Sequence, residues 1–263
     1  MSIVFSAITP HLPILIPSIG KKNLNQTKNT QDAYKELEQN LYTSKTETII
    51  IFSSHGAVQN NVFTINLASK FQIHFKNFGD LSSKLSIAGD IGLGCQIKET
   101  LESENPLQLI NEQNLDYGSG VPLYLLVKNL PNIKIIPIHY SNLDLESHFK
   151  FGQFLKQELL ISEKRIAIIA SSDLSHQAAE DFSVKYFAKS AKFDQKIIEC
   201  LKNKNIQNIF NINPELIKKS CECGLKSIIM LLGVLNNIEY EPQLLSYEKL
   251  FGVGCLTMNF KFS

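Results

Sequence analysis

Short apolar segments alternate with segments of helical spacing along most of this chain, and this alternation limits the possible fold more than any other feature. Each apolar segment has the length of a strand. The longer segments place their apolar residues on one side, as Ala33, Leu37 and Leu41 do within 25–43. Strands that alternate with helices indicate a mostly parallel or mixed sheet with helices on both faces. We therefore predict an α/β fold.

The predicted elements cover most of the chain. Strands are expected at residues 2–8, 47–53, 62–67, 71–76, 133–140, 165–172, 243–248 and 252–262. Helices are expected at 25–43, 91–103, 121–129, 145–160, 180–203 and 214–235, with breaks near 211–213 and 220–224. No linker, repeat or low-complexity tract interrupts this order, so we expect residues 1–263 to form a single domain.

The composition argues against several classes of partner. A formal net charge of +1 gives no electrostatic reason for binding nucleic acid or a membrane surface. Arg165 is the only arginine, which weakens the case for a phosphate-binding protein. The five cysteines are an odd set without a CxxC pair, which favours a reducing cytoplasm over a disulfide framework. The apolar start lacks a basic segment and contains His11 and two prolines, so we interpret it as a strand and loop rather than a signal peptide. No apolar run is long enough to span a bilayer.

Four of the six histidines lie at the ends of predicted strands: His11, His55, His139 and His176. Ligands of such sheets bind beyond the carboxyl ends of the strands, so these imidazoles could share one crevice. A structural role is nevertheless the commoner fate of any one of them. His139, inside a strand, suits a packed core imidazole, and His176 could equally cap the following helix.

A fifth candidate region is SCECGLKSIIMLLG, residues 220–233. Glu222 precedes an apolar helix, where a buried carboxylate would need a cation or another partner. Alternatively, Glu222 is a surface acid that interacts with the helix dipole. Cys221 and Cys223 flank it, either as soft metal ligands or as structural cysteines.

Two imidazoles and one carboxylate form the facial triad that leaves adjacent positions open on Fe(II). A further histidine that is not a ligand can accept and return protons near neutral pH. His11, His55, Glu222 and His176 supply these groups, but their spacing alone does not select this set from the alternatives.

The chain contains six motifs in this order: ITPHLPILIPSIG, FSSHG, DYGSGVPLYLL, SSDLSHQ, ECGLKSIIMLLG and YEKLFGVGCL. Together they resemble the class III extradiol ring-cleavage dioxygenases, the family of the LigB catalytic subunit, which is related to the Memo proteins. The resemblance implies a non-haem Fe(II) enzyme that opens a catechol ring with O2. By position it implies His11, His55 and Glu222 as metal ligands and His176 as the acid/base, with Asp173 and Tyr117 near the substrate.

The sequence departs from this pattern at two places. Many relatives have Asp-His-Gly where this chain has Asp116-Tyr117-Gly118, and a phenol is not a proton acceptor near neutral pH. Memo proteins place a cysteine-glycine pair where this chain has Cys223-Gly224. Because adjacent helical residues point about 100° apart, Glu222 and Cys223 should not ligate equally well. Glu222 would suit Fe(II) and Cys223 a softer ion such as copper or zinc. FSSHG and SSDLSHQ fit either branch, whereas VPLYLL and FGVG resemble the dioxygenase branch more closely, so the resemblance favours Glu222.

Three functions are compatible with these residues. The first is an extradiol dioxygenase acting on a small aromatic substrate and O2. The second is a Memo-like protein that keeps the fold and binds a metal or a partner without catalysis. The third is a zinc hydrolase in which His/His/Glu activates water. The sequence does not identify the substrate. The resemblance to the family implies a homo-oligomer.

Overall fold

The computed structural model describes residues 2–176 and 184–262, with the side chains of 184–189 excepted. The strands are β1 Ile3–Thr9, β2 Thr48–Ser53, β3 Phe63–Asn66, β4 Lys70–Phe75, β5 Asp80–Gly89, β6 Leu107–Ile110, β7 Lys134–His139, β8 Ile166–Ser171, β9 Asp173–His176, β10 Tyr240–Leu250 and β11 Val253–Phe262. The helices are α1 Pro17–Gly20, α2 Lys28–Thr43, α3 Ile91–Leu101, α4 Tyr117–Leu126, α5 Leu145–Ile161, α6 Val184–Lys202, α7 Ile206–Phe210, α8 Pro214–Ser220 and α9 Leu225–Leu235.

The strands form one mixed sheet in the order β10-β11-β1-β8-β2-β7-β3-β6. Its centre is parallel, because β1 pairs with β8, β8 with β2, and β2 with β7 in the same direction. Towards the edges the pairing becomes antiparallel, at β1–β11, β10–β11 and β3–β7. The carboxyl ends of β1, β2, β7 and β8 therefore meet at one edge of the sheet.

Alternate residues of the central strands enter two separate cores, one on each face. On β2, Ile50 and Phe52 pack with residues of α3, α5 and α9, whereas Ile49 and Ile51 pack with residues of α2 and α4. All four of these side chains are fully buried. Such continuous apolar runs are typical of strands that are covered on both faces. The predicted α/β fold, with a mixed sheet and helices on both faces, is confirmed.

The differences from the predicted elements have local causes. Strands β5, β6 and β9 were not predicted, because β5 and β6 carry many polar or exposed residues and β9 is short. Helix α4 begins at Tyr117, before the predicted 121, because the Asp116 carboxylate accepts the N–H of Ser119 as an N-cap. The break at 220–224 separates α8 from α9 as expected. Residues 180–183 of the predicted helix 180–203 lie outside the described residues. Within the described ranges, no helix is long and apolar enough to cross a membrane.

Candidate metal centre

Two of the four post-strand histidines come together beyond the carboxyl ends of β1 and β2. The Nε2 atoms of His11 and His55 lie 3.0 Å apart, with their rings at 85° to one another. The Sγ atom of Cys223, from the loop between α8 and α9, lies 3.4 Å from His11 Nε2. The three ligand atoms all lie within 4.8 Å of one another, so these side chains could hold one metal ion.

The hydrogen-bond pattern fixes the tautomer of His11. Ser171 Oγ donates its single proton to the carbonyl oxygen of Gly118, which cannot donate in return. The 2.9 Å contact between Ser171 Oγ and His11 Nδ1 must therefore use a proton on Nδ1. In the neutral ring this leaves Nε2 as a bare lone pair directed at His55 and Cys223. Metal-binding histidines are commonly oriented by a hydrogen bond from their other ring nitrogen in this way.

Both imidazoles are held in their neutral form. Burial, reinforced by His176, lowers the pKa of His11 to about 3, with Asp116 opposing the shift. Burial and the neighbouring His11 lower the pKa of His55 to about 4. Neutral imidazole is the form that binds metal ions, so neither ring has to lose a proton near neutral pH.

Glu222 is not among the groups that the structure brings together at this point. Its Oε2 accepts the backbone N–H of Leu225 at 2.6 Å, at the start of α9. Burial raises the pKa of the Glu222 carboxyl, while the N–H groups of Leu225 and Gly224 and the charge of Lys226 oppose that shift. The contact with the helix N-terminus is the one expected in the alternative role of Glu222, but the side chain is part-buried and does not lie on the surface. The geometry thus favours Cys223, the alternative ligand, over Glu222.

Close backbone packing fixes the loop that carries Cys223. A Cβ atom added to Gly224 would lie 1.8 Å from Ser172 Oγ, so the loop touches the end of β8 at a place where only glycine fits. Cys221, at the end of α8, has a left-handed backbone with φ of 51°. Burial raises the pKa of the Cys223 thiol well above its ordinary range, with Asp173 adding to the effect.

Asp173 and His176, both on β9, lie beside the two histidines. Asp173 Oδ1 accepts the backbone N–H of His11 at 2.9 Å, and Oδ2 lies 3.3 Å from His11 Nε2. Burial raises the pKa of Asp173 to about 6. His176 donates from Nδ1 to the carbonyl of Cys221, and its Nε2 lies 3.8 Å from Asp173 Oδ2. The His176 side chain is partly exposed.

Tyr117 covers His55 from the first turn of α4. The two rings are stacked, with centroids 4.3 Å apart and an interplanar angle of 24°. The phenol oxygen lies within 3.2 Å of both imidazole nitrogens, although a single O–H can donate to only one of them. Phe78, from the turn between β4 and β5, makes an edge contact with Tyr117, with centroids 5.3 Å apart and an interplanar angle of 73°.

His139 lies apart from the cluster and bonds to Asp116. Burial alone would raise the pKa of Asp116, but hydrogen bonds from His139, Ser53 and Ser119 lower it below its usual range. This anion holds the start of α4, and therefore Tyr117. The remaining histidines lie elsewhere, His74 in β4 and His148 in α5.

Sequence reasoning missed the residues that orient the candidate ligands. They are Ser171, which binds His11 Nδ1, Ser53, which binds Asp116, and Tyr34, whose hydroxyl donates to the carbonyl of Pro10. The two serines follow apolar runs and offered a weak signal there. Tyr34 offered none, because it looks like one more apolar residue of an amphipathic helix.

The fold and this cluster define an α/β protein with a possible His/His/Cys metal site at the carboxyl edge of its sheet. The family described as "Catalytic LigB subunit of aromatic ring-opening dioxygenase" matches residues 6–258. The chain therefore belongs to the LigB family.

Relatives from two branches are similar to this chain. "Protein CA_C1420" of Clostridium acetobutylicum is 28% identical over 94% of the chain, which spans only 55% of that protein's length. "MEMO1 family protein MJ0403" of Methanocaldococcus jannaschii is 23% identical over 82% of the chain and 69% of its own length. The 3,4-dihydroxyphenylacetate 2,3-dioxygenase of Escherichia coli is also 23% identical, over 93% of the chain and 94% of its own length.

A solved structure shares the fold. The uncharacterized protein JW3007 from Escherichia coli K12 superimposes with a TM-score of 0.69 over 97% of this chain and 99% of its own. At 13% sequence identity this likeness concerns the fold alone.

Proposed function

We propose that this chain binds one divalent transition metal through His11, His55 and Cys223. The observation that carries this proposal is the convergence of Cys223 Sγ and His55 Nε2 on the bare Nε2 of His11, at 3.4 Å and 3.0 Å. The His11 lone pair is buried, with His55 Nε2 and Cys223 Sγ in contact with it, so one metal ion could take all three as ligands. Ferrous ion is the candidate from the family. The thiolate also suits zinc or copper, which prefer soft ligands.

The proposed reaction is the O2-dependent opening of a small aromatic ring that carries two adjacent hydroxyls. It rests on membership of the LigB family and on the similarity to a ring-opening dioxygenase. A ferrous ion held by His11, His55 and Cys223 would supply the chemistry that activates a catechol and dioxygen. The remaining requirements, proton removal and orientation of the substrate, fall to side chains of this chain.

His176 is the candidate acid/base. Because its Nδ1 donates to the carbonyl of Cys221, the neutral ring keeps Nε2 as a proton acceptor. Asp173, 3.8 Å from that nitrogen, would stabilise the protonated ring after a hydroxyl proton has moved to Nε2. General base catalysis of this kind typically contributes about 10²–10⁴-fold to a rate.

Tyr117 is the candidate substrate contact from α4. Its phenol can donate a hydrogen bond to a substrate oxygen, but burial raises the pKa of Tyr117 to about 12, so it will not act as a base. Tyr117 and the neighbouring Phe78 also offer aromatic surface for a planar ring.

A second candidate function is metal binding without ring opening, as a Memo-like protein. The observation that favours it is the sulfur in the cluster. The only His, Cys, Asp or Glu group in the described part of the chain that meets the geometry for a metal contains Cys223 and no carboxylate. The similarity to MEMO1 family proteins points in the same direction.

One experiment separates these candidates. The protein is purified anaerobically and loaded with ferrous ion, and its metal content and oxygen uptake are measured with a panel of catechols. Neighbouring variants provide the matched control, because Cys223→Ala removes the proposed ligand and Glu222→Gln keeps an acceptor for the α9 backbone. We expect Cys223→Ala to lose the metal and Glu222→Gln to retain it.

Each result has a separate meaning. Oxygen uptake with a ring-opened product supports the dioxygenase, and His176→Ala should then lower turnover while the metal stays bound. A bound metal without uptake for any catechol supports the Memo-like alternative. Retention of metal in Cys223→Ala together with its loss in Glu222→Gln would refute the His/His/Cys centre and restore the carboxylate ligand.

A further inference from the structure

A second buried polar network lies behind the candidate site, centred on Asp194 of α6. Asp194 is fully buried, and its Oδ1 accepts the backbone N–H of Ser175 at 2.9 Å. Its Oδ2 accepts the hydroxyls of Ser175 and Tyr247, each at 2.7 Å, and lies 3.7 Å from Lys249 Nζ. Lys249 in turn donates to Ser175 Oγ at 2.8 Å.

The buried Asp194 carboxylate restricts the residue that can occupy position 254 of the neighbouring strand. A Cβ atom on Gly254 of β11 would lie 2.3 Å from Asp194 Oδ2, so a side chain there would displace the carboxylate. A fully buried carboxylate is costly unless several donors satisfy it, as they do here. The described contacts of Asp194 include none with the metal-site residues, so the site itself does not explain the network.

Strand β9 connects the Asp194 network to the candidate metal site. It is only four residues long, and among the described strands it pairs with β11 alone, across a register shift between Val253 and Cys255. Ser175, the residue that Asp194 holds, lies directly before His176 and two residues after Asp173. A short strand with one neighbour and an irregular register is weakly fixed by its ladder alone. The hydrogen bonds that Asp194 accepts from the backbone and side chain of Ser175 therefore help to fix the positions of Asp173 and His176.

We infer that Asp194 is a positioning residue, which anchors β9 through Ser175 and so sets Asp173 and His176 against the metal ligands. Asp173 transmits the effect, because its Oδ1 holds the backbone N–H of His11. The inference rests on the metal centre proposed above, and it assigns no role in chemistry to Asp194. Oδ1 faces the Ser175 N–H and Oδ2 faces the Lys249 ammonium, neither of which can accept a hydrogen bond, so an amide would place its NH2 group against a donor in either orientation.

The test compares two buried substitutions on the same helix. Asp194→Asn removes the anchor, and Leu201→Ala, two turns further along α6, removes core packing without touching Ser175. Both variants are characterised by melting temperature, by hydrogen exchange of the Ser175 amide, and by the dissociation constant for Co(II). The absorption of the cobalt complex reports whether the Cys223 thiolate is bound.

We expect Asp194→Asn to weaken Co(II) binding by about 10-fold, at the lower end of the range for residues that support metal ligands. The Ser175 amide should also exchange faster in Asp194→Asn alone. Leu201→Ala should lower the melting temperature without either change. Equal effects of the two variants on Co(II) binding and on Ser175 exchange would overturn the inference, since Asp194 would then only stabilise the fold.

Two further outcomes also test the anchoring role of Asp194. If Asp194→Asn does not fold, Tyr247→Phe removes one donor and should shift Co(II) affinity and Ser175 exchange in the same direction by a smaller factor. No shift in Tyr247→Phe would count against the inference. If the unaltered protein binds no Co(II), the proposed metal centre fails. Faster Ser175 exchange in Asp194→Asn alone would then still support the anchoring of β9, and unchanged exchange would refute it.

Discussion

The affinity for a metal ion should increase tenfold for each unit of pH above neutrality, because one of the proposed ligands, Cys223, carries a removable proton. His11 and His55, with pKa values lowered to about 3 and about 4, are already neutral there and release nothing. Asp173, with a pKa raised to about 6, has lost its proton by about pH 7. The Cys223 thiol, whose pKa burial raises, is fully protonated and must become a thiolate to bind.

The magnitude follows from this count of protons. Binding releases one proton, so each pH unit contributes about 1.4 kcal/mol to the binding free energy. As the pH rises, the thiol proton is removed at lower cost and the dissociation constant falls. Between about pH 7 and about pH 8.5 it should fall by roughly 30-fold. A site built from His11, His55 and an ionised carboxylate would show no such slope.

The measurement is a competition for Co(II) between the protein and a chelator of known proton dependence, in buffers that do not bind metal. Glu222→Gln serves as the control and should keep the slope of one proton. A dissociation constant that stays constant across this range would refute the thiolate ligand. It would also require that the close approach of Cys223 Sγ to His11 Nε2 is unrelated to metal binding.

Other predictions concern stability and turnover. His148 donates from Nδ1 to the Asp144 carbonyl and accepts the Ser141 N–H at Nε2, so it is held neutral, and burial lowers its pKa to about 4. As the pH falls, the unfolded chain binds a proton at His148 before the folded chain does. About 3 kcal/mol of the free energy of unfolding should therefore be lost between about pH 6.5 and about pH 4. Urea unfolding of the protein and of His148→Leu across this range measures the loss. Gly224→Ala should lower the melting temperature and displace Cys223, with loss of Co(II) binding, whereas Gly92→Ala, with no atom within 4 Å of the added Cβ, should be neutral or slightly stabilising. In oxygen-uptake assays with an active catechol, His176→Ala should lower turnover by about 10²-fold or more at unchanged metal content, and unchanged turnover would remove His176 from the mechanism.

The sequence was sufficient to predict the sheet and the edge that carries the site. Runs such as Ile49–Phe52 are apolar on both sides of the strand, which only a sheet covered on both faces requires. The positions of His11 and His55 at the ends of such runs then placed them at one edge. The polar hairpin strand β5 and the short strand β9 were not predicted, because their residues lack the apolar pattern that identifies a strand in a sequence. Strand β9 carries Asp173 and His176, so the sequence indicated these residues without indicating what holds them.

The sequence analysis favoured Glu222, whereas the structure brings Cys223 to the two histidines, and the difference depends on a backbone group that needs a hydrogen-bond partner. The first N–H groups of α9 have no partners within the helix, and Gly224, its N-cap, has no side chain to offer. Leaving such a group unpaired in a buried position costs about 1–3 kcal/mol. The Glu222 carboxylate provides the missing acceptor, so turning it towards a metal would expose that cost. The contact of Gly224 with Ser172 holds the loop in place, and the next side chain, Cys223, faces His11. The capping role of Glu222 and the approach of Cys223 to His11 therefore have one structural origin, a helix whose N-cap is glycine and whose backbone takes its acceptor from the acid two residues earlier.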